Sequence, residues 1–562
     1  MVMIYILTRC LRLLAIFYSL LILAFPVASQ QSPSEPQEPI SLGDMARRQK
    51  GTKAGPSDDA AAQSSRSLAD LARERQAKKK VEIKITESDS KELFAAIDEV
   101  LDFASHDSGM PRHSTVKYRL LGQEDVARRM SEALSENEAA QKLAQDELVL
   151  KKLGYLPRDF GLKKSLVDQS AREILAFYEP KTKTMNLTNW VELGLQRPIM
   201  AHELTHALQD QNYNLQKWHA KSPGHAGPKM NVEAAESEEG SARSAVIEGQ
   251  AMIVLYDYLL APAGRTLADT PRAVEFVEGS VAESYDTSIV IHNGPLVLKD
   301  TLIFPYREGL AFELALLKKG GTEMAFAEAF ARPPWDTHEI LEPEAWLSRQ
   351  KRPFVALPDI AGALTDRYEA YDSGTLGQLD VRILAQQYGT ENDMFVVSAG
   401  WQGGSYVVVK RVSAPKTTNS TADLAALYVS QWKTPEAARR FAEVYRKSLA
   451  KRLVVRDDIN QPAACAPGSA GCGALWASRV VTDEGPIFVE VWPKNTVIIT
   501  QSFEDSTVDQ LRRMVLSFVP DGKTKQAASD LSLRLYELPA FRAAQRKLQD
   551  ELVDAFVQAQ MK

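Results

Sequence analysis

Two of the chain's eight histidines stand four residues apart in the stretch AHELTHALQDQ, which runs from Ala201 to Gln211. Residues at this spacing on an α-helix differ by about 40° in direction and about 6 Å in rise, so both imidazoles project from one side. The segment also carries an apolar face suited to burial, made of Ile199, Met200, Leu204, Ala207 and Leu208. We therefore expect a buried helix with His202 and His206 on one side and Pro198 in its first turn.

This pair of histidines suits a metal ion. Zinc takes nitrogen, sulfur or oxygen ligands in a tetrahedral array, and two helical imidazoles supply half of that set. Glu203 is adjacent to a ligand but turned away from direct coordination, so it can take a proton from a metal-activated water. The alternative is a pair of histidines satisfied by hydrogen bonds on a buried helix face. A third ligand from elsewhere in the chain distinguishes the two interpretations.

Several residues downstream could complete the set. His219 and His225 lie in a segment rich in Pro and Gly and fit exposed loop histidines, while the acidic run from Glu233 to Glu239 fits a solvated face. Glu248 differs, because it is the one carboxylate between Ala245 and Tyr256. A lone carboxylate among apolar neighbours is costly to bury unless a cation meets it. We therefore expect Glu248 to be the third ligand.

These residues carry a resemblance to a known family. The HELTH sequence, followed about forty residues later by Glu248-Gly249-Gln250-Ala251, resembles the gluzincin group of zinc metallopeptidases, in particular a secreted bacterial branch. The similarity runs from the FYEPKTKTMNL stretch to PYREGLAFE, which ends at Glu313. It implies that His202, His206 and Glu248 bind Zn2+ and that Glu203 is the general base and acid. It also implies a zincin core with a small sheet whose edge strand pairs with an extended substrate.

The sequence departs from the thermolysin-like subgroup at Met252, where that subgroup has an aspartate. Another residue must then orient a ligand imidazole. Asp210, one turn beyond His206, is the candidate, and a surface role is its alternative. Tyr306 in FPYREG resembles a recurring tyrosine of the secreted relatives, so it is the candidate oxyanion stabiliser, with a core tyrosine as the alternative.

The first residues indicate export. Arg9 and Arg12 precede an apolar run from Leu13 to Phe25, and small residues follow, so residues 1–29 are expected to be a signal peptide. Membrane association is expected only if this segment stays uncleaved, as the alternative to a periplasmic or extracellular protein. Residues 30–80 are rich in Ser, Pro, Gln, Ala and charge, which predicts a disordered linker.

Two cysteines remain after the signal peptide, Cys465 and Cys472, in CAPGSAGC. In an exported chain they most simply form a disulfide with each other. A metal role is the alternative, although two thiols without neighbouring His or Cys make an incomplete zinc set.

Periodicity predicts an α+β protein in two parts. Residues 81–350 are mostly helical, apart from two short strands around a turn at Pro180 to Lys183, and form the expected zincin-like domain. Residues 355–520 alternate strands and helices as a separate α+β accessory domain, beginning with a hairpin that turns at Gln402 to Gly404. Residues 525–562 predict an amphipathic helical tail.

Taken together, these features predict a zinc-dependent peptidase acting on a peptide or protein substrate, with the accessory domain as a possible site for a protein partner. The formal net charge of −6 gives no basic excess, so nucleic acid is not an expected ligand. The alternative function is a non-catalytic envelope scaffold or binding protein that keeps the metallopeptidase fold.

Overall fold

The computed structural model describes residues 85, 87–122, 124–126, 128, 137–163, 165, 176–189, 191, 193–220, 237–270, 294–349, 355–416, 420–461 and 473–518. The signal peptide, the linker, the C-terminal tail, Cys465, Cys472 and His225 fall outside them, so those assignments stay predictions. By their contacts, the described residues all belong to one compact unit.

The first part of this unit is mostly helical. Its helices are α1 Glu87–Ala95, α2 Ile97–Ser108, α3 Asn137–Leu153, α4 Leu193–Tyr213, α5 Leu215–Ala220, α6 Ser237–Leu260, α7 Leu296–Thr322, α8 Ala329–Ala331, α9 Thr337–Leu341 and α10 Pro343–Leu347. Between α7 and α8, Glu323–Glu328 are π-helical. Pro198 lies in the second turn of α4 rather than in its first, because the helix already begins at Leu193.

A small sheet accompanies these helices. Its strands are β1 Lys117–Leu121, β2 Ala176–Glu179 and β3 Thr184–Thr188, in the order β1-β3-β2. The predicted pair of strands is confirmed: β2 and β3 are antiparallel, and Lys183 closes their turn with a positive φ of 56°. β1 adds to β3 in parallel, so among the strands that the structure describes β2 lies at the edge of the sheet, beside α4.

The second part contains an antiparallel seven-stranded sheet with helices. Its elements are α11 Ile360–Ala363, β4 Tyr368–Thr375, α12 Gln378–Tyr388, α13 Glu391–Gly400, β5 Trp401–Arg411, β6 Leu424–Trp432, α14 Pro435–Arg452, β7 Val455–Gln461, β8 Trp476–Thr482, β9 Gly485–Trp492, β10 Thr496–Gln501 and α15 Asp505–Ser517. The strand order is β4-β5-β6-β10-β9-β8-β7. The predicted α+β class is confirmed.

The hairpin predicted around Gln402 to Gly404 is wrong. The residues before this point form α13, and only those from Trp401 onward form a strand. A capping box explains the difference: the Thr390 hydroxyl accepts from the Asp393 N–H at 3.2 Å, and the Asp393 carboxylate accepts from the Thr390 N–H at 2.9 Å. The first N–H groups of a helix have no partner within the helix, and these two bonds supply one to each of two such groups. The apolar residues that follow Asp393 therefore continue as a helix.

The two parts pack against each other and share one hydrophobic core. Lys152 on α3 is buried and donates to the Glu484 carboxylate at 2.9 Å and to the Ser502 hydroxyl at 2.7 Å, beyond the ends of β8 and β10. Arg382 on α12 forms an ion pair of 2.9 Å with Glu308 on α7. The boundary expected near residue 350 therefore separates two kinds of secondary structure within one compact unit.

Among the described residues, one helical stretch, Glu238–Ala263, is long and apolar enough to cross a membrane by length and composition. Of its most apolar window, 67% is buried inside the structure. Core helices of soluble proteins have this character, so the stretch is weak evidence for a membrane span.

Candidate metal centre

Two packed helices carry the three predicted ligands. His202 and His206 lie on α4, and Glu248 lies on α6, which packs against both α4 and α7. Glycines bring α6 and α7 together: a Cβ at Gly249 would stand 2.3 Å from the Gly309 carbonyl oxygen, and one at Gly309 would stand 2.2 Å from the Ala245 oxygen. Only a residue without a Cβ allows this approach, so α6 packs closely on α7 directly beside Glu248.

The ligand atoms converge on one point. His202 Nε2 lies 3.1 Å from Glu248 Oε2, His206 Nε2 lies 3.4 Å from the same oxygen, and the two imidazole Nε2 atoms are 2.9 Å apart. Three ligands around one tetrahedral zinc, each at about 2.0–2.1 Å, would be separated by about 3.3 Å. The observed separations are close to that value, so this group could hold a metal ion.

The electrostatics of the group keep Glu248 charged. Burial lowers the pKa of His202, whereas the Glu248 charge raises that of His206 against the effect of burial. Burial alone would raise the pKa of Glu248, but the two imidazoles hold it well below its usual range, so the carboxylate is charged. A partly buried carboxylate facing two imidazole nitrogens is the donor set that a divalent ion with nitrogen and oxygen preference takes.

Glu203 is held beside the small sheet. Its side chain is buried, and Oε2 accepts a hydrogen bond of 2.6 Å from the Tyr178 backbone N–H on edge strand β2. It does not join the cluster formed by the three ligands. The carboxylate is thus held on edge strand β2, and its charge is near enough to raise the pKa of both His202 and His206.

Asp210 does not take the role expected for it. Its carboxylate accepts from the Tyr178 hydroxyl at 2.8 Å and from the Leu215 N–H at 3.1 Å, and it forms an ion pair with Lys183. The contact to the Nδ1 atom of His206, at 2.9 Å, comes from Gln209. The reason is the helical rotation of about 100° per residue: position 210 faces the β2–β3 hairpin, whereas position 209 faces α6.

Tyr306 lies on α7, with its ring centroid 6.4 Å from that of His202. The side chain is 1% exposed and is packed in the core next to His202. The structure thus brings together the two histidines, Glu203, Glu248 and Tyr306, the residues expected in the site from sequence.

Three residues with roles at the site were not expected from sequence. They are Tyr178, which holds Glu203, Gln209, which contacts His206, and Glu313 on α7, whose carboxyl is fully buried beside Gly249. Burial raises the pKa of Glu313 well above its usual range, which the nearby Gln250 amide opposes only in part. Gln209 and Glu313 share one sequence signal, a polar side chain within an apolar helical stretch, whereas a backbone N–H such as that of Tyr178 gives none.

A comparison with known protein families finds a match in the second part of the chain, which contains the seven-stranded sheet. Residues 366–510 match a family model described as "Domain of unknown function (DUF8575)", which begins just before β4 and ends within α15. No curated protein and no solved structure matches the chain. The matched residues do not include the metal group.

Proposed function

We propose that this protein is an exported, zinc-dependent peptidase. The observation that carries the proposal is the convergence of His202, His206 and Glu248, with the Glu203 carboxylate bonded to edge strand β2 and close enough to act on the charge of both histidines. The signal-like first residues support export. A site that only stabilised the fold would have no need of a buried, separately anchored carboxylate beside the ligands.

The three ligands would hold Zn2+, which when bound supplies a Lewis acid that polarises a carbonyl and lowers the pKa of water. The Glu203 carboxylate then takes the proton of the attacking water and passes it to the leaving amine. The Tyr178 N–H keeps this carboxylate in place, and the Asp210 carboxylate holds the Tyr178 side chain through its hydroxyl.

The substrate in this proposal is a peptide in an extended conformation. β2 is an edge of the small sheet, and an edge strand offers backbone groups that a peptide can pair with. Since the Tyr178 N–H of β2 already donates to the general base, a peptide that pairs with the remaining backbone groups of this strand lies beside Glu203. Tyr306 is buried on the His202 side and is the residue we assign to the developing oxyanion.

The proposal is tested with the Glu203→Gln variant of the mature chain on a labelled, unfolded protein substrate. A positioned general base typically contributes 10²–10⁴-fold to the rate, so we expect at least a ~100-fold loss of hydrolysis with zinc content unchanged. A chelator should abolish wild-type hydrolysis, and added zinc should restore it.

The matched control is Glu436→Gln, the same chemical change on α14, where the Glu436 side chain is 70% exposed. This variant should retain wild-type hydrolysis. Full activity in Glu203→Gln would overturn the assigned base. Zinc binding without hydrolysis in the wild-type chain would overturn the peptidase and favour the scaffold.

A further inference from the structure

A line of side-chain amides runs from His206 across three helical segments. His206 Nδ1 lies 2.9 Å from Gln209 Oε1. Gln209 Nε2 donates to Gln250 Oε1 on α6 at 3.0 Å, and Gln250 Nε2 donates to the Ala325 carbonyl at 2.7 Å. Ala325 belongs to the π-helical segment that follows α7. Both glutamine side chains are fully buried, so water does not supply alternative partners.

Only one orientation of the two glutamine amides gives every contact in this line a donor and an acceptor. A backbone carbonyl can only accept, so the Ala325 oxygen requires the nitrogen of Gln250 to face it, which turns Gln250 Oε1 toward Gln209. Gln209 Nε2 also donates to the Ile247 carbonyl at 3.0 Å, a second group that can only accept. Gln209 therefore presents its oxygen to His206. If the oxygen and nitrogen of this amide were exchanged, the oxygen would face two other acceptors, Gln250 Oε1 and the Ile247 carbonyl.

An oxygen facing His206 Nδ1 needs a proton on that nitrogen. We propose that Gln209 is a positioning residue that fixes His206 as the Nδ1–H tautomer, so that Nε2 keeps its lone pair toward Glu248 and His202. Gln250 and the Ala325 carbonyl hold the Gln209 amide in this orientation. This inference rests on the metal group of the proposed function and assigns a role that Asp210 does not take.

The same amide ties the two ligand helices together. Ile247, whose carbonyl accepts from Gln209, directly precedes Glu248 on α6. One side chain thus sets both the tautomer of a ligand on α4 and the height of the third ligand on α6. Groups that orient a metal-bound histidine typically change metal affinity 10–100-fold when they are removed.

The test uses the mature chain with Gln209→Leu, which keeps the side-chain volume and removes the amide. Zinc affinity is measured by competition with a chromophoric chelator, and we expect it to fall about 10–100-fold. The tautomer of His206 is read without metal, at a pH high enough for the imidazole to be neutral, from long-range ¹H–¹⁵N spectra of protein labelled at histidine. The wild type should show the proton on Nδ1, and the variant should lose this preference.

Gln196→Leu is the matched control, because Gln196 is also a fully buried glutamine on α4. Its amide donates to the carbonyls of Thr188 and Val191 and contacts no ligand. It should bind zinc like the wild type. If Gln209→Leu does not fold, Gln250→Leu takes its place, with an expected loss of about 3–10-fold, since it acts one amide further out.

Wild-type zinc affinity in the folded Gln209 variant, or an unchanged His206 tautomer, would overturn the inference, and so would an equal affinity loss in Gln196→Leu. A wild-type chain that binds no zinc would overturn the proposed function instead. In that case the tautomer measurement still decides the role of Gln209.

Discussion

Gly249→Ala should damage both stability and metal binding, although alanine is the better helix former. Gly249 lies in the middle of α6, where alanine would be favoured over glycine by up to about 1 kcal/mol in an unhindered helix. Here the new Cβ would stand 2.3 Å from the Gly309 oxygen and 2.4 Å from its carbonyl carbon. These are backbone atoms of α7, so no side-chain rotation relieves the contact.

The required displacement follows from these distances. Ordinary van der Waals contact of a Cβ begins at 3.4 Å, so the helices must separate by about 1.1 Å, the difference between 3.4 and 2.3 Å. Overpacking of this kind typically costs about 1–3 kcal/mol. Metal–ligand distances are held to about 0.2 Å, so a shift of this size next to Glu248 should weaken zinc binding at least ~10-fold.

Urea unfolding followed by circular dichroism measures the first effect, and chelator competition measures the second. Gly122→Ala is the control, because a Cβ there would have no atom closer than 3.9 Å. It should change the free energy of unfolding by less than about 0.5 kcal/mol. A Gly249→Ala protein that is as stable as the wild type and binds zinc equally well would refute the close approach of α6 and α7.

Two further changes test the packing away from the site. Lys152→Met should destabilise the chain by about 3 kcal/mol in urea unfolding, because it leaves the buried Glu484 carboxylate with only the longer, 3.4 Å contact to Arg158. Adding Glu484→Gln should recover part of the loss, and no recovery would contradict the charge argument. Burial and the Asp257 charge raise the pKa of Asp107 to about 8, so the stability it contributes is fully present below its unfolded pKa and is lost as the pH rises toward 8. The difference in free energy of unfolding between Asp107→Asn and the wild type should therefore shift in favour of the variant from pH 5 to pH 8, by on the order of 1–2 kcal/mol. The same difference at both pH values would contradict the assignment.

Local patterns in the sequence were enough for much of the fold. The four-residue spacing of the histidines and the apolar residues around them specify one face of a helix. The alternation around Pro180 to Lys183 specifies a hairpin, because a strand repeats every two residues and a helix every 3.6. The lone carboxylate of Glu248 identified the third member of the group, since a charge in an apolar helix requires a partner.

The same reasoning failed where a local signal competed with periodicity. The apolar residues before Trp401 fit a strand, yet the capping box of Thr390 and Asp393 starts a helix there. Both signals are present in the sequence, and their relative strength depends on what each face packs against.

Tertiary structure alone decided which polar residues serve the metal group. Asp210 and Gln209 are neighbours in sequence, and either could orient an imidazole. Only the packing of α4 between the hairpin and α6 sends Asp210 to Tyr178 and Gln209 to His206. Sequence determines which side of its own helix a residue occupies, whereas the partner on each side of α4 comes from a distant segment, the hairpin at Tyr178 or α6 at Gln250.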